Sequence, residues 1–209
     1  MTSEEKKRVQ YKRLIVDIKD DLNSIRKIAD DLIEITQVLE SELVQLKLNI
    51  KTSVGESTPT EAEYGVPLPL VEVGVSRLDE KGMVRGSDLM ACAGYLHHYY
   101  TGIESVFERI SRAFDGGLTS GGDYHRELLR SMTIEIPEIR PSIISRDLAE
   151  ELDEYRRFHH MFRHSYGSEL RWRKMEPLAK GIDSLTKVLL ERISEFMLFV
   201  EKLSNCIAD

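Results

Sequence analysis

The feature that most constrains the fold is a stripe of apolar residues near the start of the chain. From Tyr11 onward, Leu14, Ile15, Ile18, Leu22, Ile25, Ile28, Leu32, Ile35, Val38, Leu39, Leu43 and Leu46 recur at steps of three and four. That period gathers side chains on one face of an α-helix. The pattern predicts one long amphipathic helix, whose apolar face must be covered by other elements.

Three further stretches supply the cover. Between Thr52 and Ser87 the period breaks down at Gly55, Pro59, Gly65, Pro67, Pro69, Gly74, Gly82 and Gly86, which predicts a long irregular excursion with a short extended piece at Leu68 to Val75. Ser87 is the expected N-cap of a second helix carrying Leu89, Met90, Leu96, Tyr100, Ile103, Phe107, Ile110 and Phe114, which stops at Gly116-Gly117. Tyr124 to Met132 has room for about two turns, after which Pro137 and Pro141 forbid a continuous helix. Ser145 opens a third long helix, with acids in its early turns, that runs to about Tyr166-Gly167. A last helix is expected after Pro177, with Ile182, Leu185, Val188, Leu189, Ile193, Phe196, Phe199, Val200 and Leu203 on its apolar face. The fold class this predicts is all-α: an up-and-down four-helix bundle, a single domain over residues 1–209, with the excursion between its first two helices.

Composition narrows the function classes. A formal charge of −7 over 209 residues argues against a protein that coats nucleic acid indiscriminately, yet such a sum hides local sites. Cys92 and Cys206 each fall in an apolar helical run and form no disulfide framework, so a reducing compartment is the natural setting. The N-terminus MTSEEKKRVQYKR lacks the apolar core of a signal peptide, and no apolar run approaches the roughly 20 residues of a membrane span. The expectation is a cytoplasmic protein without a membrane partner.

The local site lies between Arg156 and Lys174, in RRFHHMFRHSYGSELRWRK. Arg156, Arg157, Arg163, Arg171, Arg173 and Lys174 stand against the single acid Glu169, a net of +5 inside an acidic protein. His159, His160 and His164 share the window, and at about 100° per residue Arg157, His160 and His164 lie near one helix face. Arginine holds a phosphodiester by charge and paired hydrogen bonds, and histidine exchanges a proton near neutral pH. Together they are equipped to cleave RNA without a metal by activating the 2′-hydroxyl and stabilising the crowded phosphate. Two blander readings stand beside this. The cations are equally those of a solvated face paired with Asp153 and Glu154. His160 and His164, spaced i, i+4, with His97 and His98 on another helix, also suggest a metal site, although no carboxylate or cysteine pattern completes a ligand set.

At these residues the chain resembles the HepT-like toxins of the HEPN superfamily. Three blocks carry the resemblance in order: YLHHYYTGIESVFERI, GGLTSGGDYHRELLRSM and RRFHHMFRHSYGSELRW. It covers roughly residues 87 to 203, with the first helix compatible and the excursion unmatched. The resemblance implies a HEPN-type bundle, a homodimer whose paired motifs form one RNase cleft, and no cofactor or metal. The motif of the family is Arg, four residues, His, any residue, Tyr. Here the His falls on His164 and the Tyr on Tyr166, but the Arg position is occupied by His159. A looser spacing is met by Arg157 and His164, seven residues apart and nearly at one azimuth.

The resemblance therefore implies a toxin of a HEPN/MNT toxin–antitoxin system, type II or VII in kind. It would be a metal-independent RNA endonuclease with Arg157, His159, Arg163 and His164 as its catalytic set. It also implies a partner, an MntA-like nucleotidyltransferase antitoxin that transfers AMP to Tyr166; a phosphodiester-linked AMP two residues from His164 would place charge and bulk where an RNA phosphate belongs. Histidine at 159 is shorter than arginine, lacks its five-donor fork and is largely neutral at pH 7, so an inactive variant, or a non-catalytic module that binds the nucleotidyltransferase, is the alternative. His160, Glu104 and Tyr100 are candidate supports of the cleft, with Tyr99 beside them; rim packing and a surface charge account for the same residues. For His125, Arg126 and Glu127, capping and packing are the expected roles.

Overall fold

The computed structural model describes residues 1–53, 77–79, 82–117, 121, 123–164 and 170–207. Five helices are present among them: α1 (Ser3–Ser53), α2 (Gly86–Phe114), α3 (Tyr124–Met132), α4 (Arg146–His164) and α5 (Trp172–Cys206). The all-α architecture expected from periodicity is observed, as four long helices and the short α3.

α1 starts eight residues ahead of the apolar stripe. Thr2 and Glu5 close a capping box: the Glu5 N–H donates to Thr2 Oγ1 at 3.1 Å and the Thr2 N–H to the Glu5 carboxylate at 2.7 Å. The stripe itself is buried, with Ile18, Ile25, Leu32 and Leu39 inaccessible to solvent. It packs on α2 and α5. Asp17 and Asp21 meet Arg109, and Ile25 meets Gly102, so α1 and α2 run antiparallel. His97 facing His159 and Tyr99 facing Tyr155 make α2 and α4 antiparallel as well. Glu40 on Lys180, and Phe114 stacked on Tyr11 and tilted against Phe199, give α1 and α5 the same relation. The result is an up-and-down bundle. α1 and α2 approach closely at Gly102, where a Cβ would come within 2.7 Å of the Ile25 side chain.

Two helix starts differ from expectation. Ser87 is not the cap of α2; Arg85 holds that position in an extended conformation without a side-chain cap. The chain entering α2 is aligned instead by an isolated bridge between Leu78 and Val84 and by the Arg77–Asp88 ion pair at 2.6 Å. α5 begins at Trp172, five residues before Pro177, which lies inside the helix. A proline so near the N-terminus removes only one intrahelical bond, and the extra turn buries Met175 and lays Trp172 against the core. The extended piece expected at residues 68–75 lies outside the described residues.

The segment between α3 and α4 is closed by a buried charge. Arg140, 2% exposed, makes paired bonds to both Asp115 oxygens at 2.7 Å and donates to the carbonyls of Ile134, Pro141 and Ser131. It ties the end of α2 to the end of α3. α4 then starts as expected, with Ser145 Oγ accepting from the Leu148 N–H.

Candidate functional site

His97, Tyr100, Thr101 and Glu104 occupy i, i+3, i+4 and i+7 of α2 and therefore share one face. On α4, His159 turns toward that face while His160 and His164 turn to solvent. α3 brings His125 against it from its first turn. Three helices thus converge on one polar cluster.

At its centre is Glu104, 8% exposed. The His125 ring donates from Nδ1 to Glu104 Oε1. The other carboxylate oxygen lies 3.9 Å from His159 Nε2. Burial holds the Glu104 carboxyl above its usual range, and the bond from His125 and the charge of Arg163 pull the other way. His159 is 4% exposed and stacks on His97 with ring centroids 4.3 Å apart and planes 10° from parallel. Its Nδ1–H donates to the His97 carbonyl at 3.3 Å. Burial pushes the His159 imidazole down to about 4, with His97, Arg163 and His125 adding repulsion, so at neutral pH it is uncharged. His97 is lowered too, first by burial and then by His98 and Arg163. Tyr100, against the His159 ring, has its phenol raised by burial and by Glu104.

The basic window divides in two. Arg156 pairs with Asp153 at 2.6 Å, and Arg157 pairs with Asp153 at 2.8 Å and Glu154 at 3.0 Å. Burial acts to raise the Asp153 carboxyl, but the two arginines more than reverse it and hold it below its usual value. These two cations form the paired, solvated face weighed from the sequence. Arg163, Arg171, Arg173 and Lys174 are exposed and make no ion pair among the described residues. Arg163 lies one turn beyond His159 on the same side of α4, and its charge acts on Glu104, His97 and His159. His164 is exposed in the last turn of α4, its ring 4.8 Å from that of His160. Tyr166 lies outside the described residues.

Of the residues singled out in the sequence, Glu104, Tyr100 and His159 come together with Arg163 one turn away, and Arg157, His160 and His164 share an exposed face of α4. His97 and His125 belong to the cluster and were not predicted for it. The i, i+3, i+4, i+7 spacing on α2 was the available signal for His97; nothing local marks His125. Among the described residues no group of three or more His, Cys, Asp or Glu is arranged to hold a metal ion, and no described helix is long and apolar enough to cross a membrane.

Residues 91–200, more than half of the chain, match the family described as HepT-like protein. The matched span contains every residue of the cluster and of the basic window, and leaves α1 outside. No curated protein and no solved structure matches the chain.

Proposed function

Because the chain belongs to the HepT-like protein family, a HEPN-type module of toxin kind, we propose that it is the ribonuclease toxin of a HEPN/MNT pair, cleaving RNA without a metal and weakened in this chain by His159. The observation that carries this reading is the end of α4: Arg163 and His164 are exposed, Arg163 is unpaired among the described residues, and Arg163 stands one turn beyond His159 of a buried cluster of imidazoles and a carboxylate. In this reading Arg163 binds phosphate, and Arg157 joins it on leaving Asp153 and Glu154. His164 transfers the proton, and Tyr100, His160 and Glu104 support the cleft. The whole chain acts as one domain and pairs as a homodimer.

Histidine at 159 removes what an arginine there supplies. A guanidinium would span the 3.9 Å gap to Glu104 and carry a permanent charge; the buried, neutral imidazole does neither. That observation favours a second reading, a HEPN module that docks a nucleotidyltransferase without cutting RNA. In both readings an MntA-like enzyme is the partner and Tyr166 the AMP acceptor.

The test is cleavage of single-stranded RNA in the presence of a chelator. The ribonuclease reading expects activity that vanishes in His164→Ala and rises in His159→Arg. No cleavage by either the natural chain or His159→Arg would overturn it and leave the docking reading. Intact mass after co-expression with a candidate nucleotidyltransferase checks the modification, which should appear as whole AMP increments on the Tyr166 peptide.

A further inference from the structure

The ribonuclease reading assigns proton transfer to His164 and leaves His125, the imidazole bonded to Glu104, without work. His125 stands in the first turn of α3, with about a third of its side chain open to solvent. Its Nδ1 is engaged by Glu104 Oε1. A carboxylate accepts only, so this bond fixes the Nδ1–H tautomer and leaves the Nε2 lone pair on the opposite side of the ring free to accept a proton. Glu104 is itself held in place: its side chain is 11% exposed, and its second oxygen faces His159. The His159 ring is 6.2 Å from that of His125, and the stack on His97 closes the inner wall.

We propose that His125 and Glu104 form an imidazole–carboxylate dyad in which His125 is the proton acceptor of the site, taking the proton of an RNA 2′-hydroxyl. The inference rests on the ribonuclease reading and adds to it the group that activates the nucleophile. In the step, the 2′-oxygen bonds to the neighbouring phosphorus as its proton passes to His125 Nε2. The bond from phosphorus to the 5′-oxygen breaks, and that oxygen takes a proton from His164. The products are a 2′,3′-cyclic phosphate and a 5′-hydroxyl. The Glu104 carboxylate stabilises the imidazolium formed on His125, as an orienting acid does for a catalytic histidine. Arg163, exposed one turn beyond His159 on α4 and unpaired among the described residues, is the cation the proposal gives to the phosphate.

A structural strap between α2 and α3 would use the same hydrogen bond, so the test must read more than stability. The full chain, labelled at histidine nitrogens, is titrated with a 2′-O-methyl RNA oligonucleotide that binds but is not cleaved, and single-turnover cleavage of the unmodified oligonucleotide is followed against pH. The expected result is an Nδ1-protonated His125 whose Nε2 signal shifts with oligonucleotide. His125→Gln should lose about 100-fold in cleavage rate, keep its affinity for the methylated probe and lose one ionisation from the acid limb of its pH profile. Should His125→Gln fail to fold, the Nε2 signal of the natural chain decides. A probe that moves the His164 signals but not those of His125 overturns the proposal and leaves the ribonuclease reading standing, as does full activity in a folded His125→Gln. A chain that neither binds nor cleaves, with His159→Arg equally inert, overturns both.

Discussion

The imidazoles of His97 and His159 lie face to face, 4.3 Å between centroids and 10° from parallel, so that a residue of the basic window is turned into the bundle rather than out of it. Two stacked, desolvated imidazoles resist protonation together. Stability should therefore depend on pH. The folded-state value for His159 is about 4 against an ordinary 6.5, so between those values the unfolded chain binds the extra proton and stability falls as the pH is lowered. The loss begins below about pH 6.5, is complete near pH 4, and has an upper bound of about 3 kcal/mol. Urea denaturation at a series of pH values checks this, and His159→Phe should flatten the dependence.

His159→Arg should act in the opposite sense on electrostatics. The guanidinium gains Glu104 as a partner and stays charged at every accessible pH, so its pH dependence in the same window disappears. Under the ribonuclease reading its cleavage rate rises by at least about tenfold, the scale of one charge-assisted contact made in the transition state. Single-turnover assays at matched protein concentration measure it.

Arg140 and Asp115 form a buried pair in which each removes the other's desolvation cost. Truncating either to alanine strands a charge, and should destabilise the fold by about 3–5 kcal/mol. The double variant should lose less than the sum of the two singles. Chemical denaturation of the three variants gives the comparison.

At Gly102 the obstacle is steric. Gly102→Ala places a Cβ 2.7 Å from Ile25 Cγ1, and should cost about 1–3 kcal/mol by overpacking the α1–α2 seam. Adding Ile25→Ala, which removes Cγ1, should leave the double variant less destabilised than the sum of the two singles, as read by chemical denaturation.

Salt dependence separates the two halves of the basic window. Arg163→Ala and Arg173→Ala should weaken RNA binding and each lower the slope of log affinity against log salt by about 0.7. Arg157→Ala should change it less, because its guanidinium is already neutralised by Asp153 and Glu154. Titrations of a fluorescent single strand at three or more salt concentrations distinguish them.

The helices of this protein were legible in the sequence because their signals are local. A stripe at steps of three and four, glycines at 116 and 117, prolines at 137 and 141 and a serine at 145 act within a turn or two of where they stand, and the bundle has those helices. The start of α1 was not read from the sequence; the Thr2–Glu5 box that closes it emerged with the structure. The concentration of charge from Arg156 to Lys174 was visible because it too is local. Facing and pairing between helices were not. Periodicity defines the faces of α4 but does not say which face α2 covers. That choice follows from contacts between residues about 60 positions apart, such as His159 on the His97 carbonyl. The pairing of Arg157 with Asp153 and Glu154 is local to α4 and was legible in the sequence. Only the tertiary structure decided that Arg163 has no ion pair among the described residues and that His159 is buried and neutral against Glu104 and His125, because burial is a property of the packed chain.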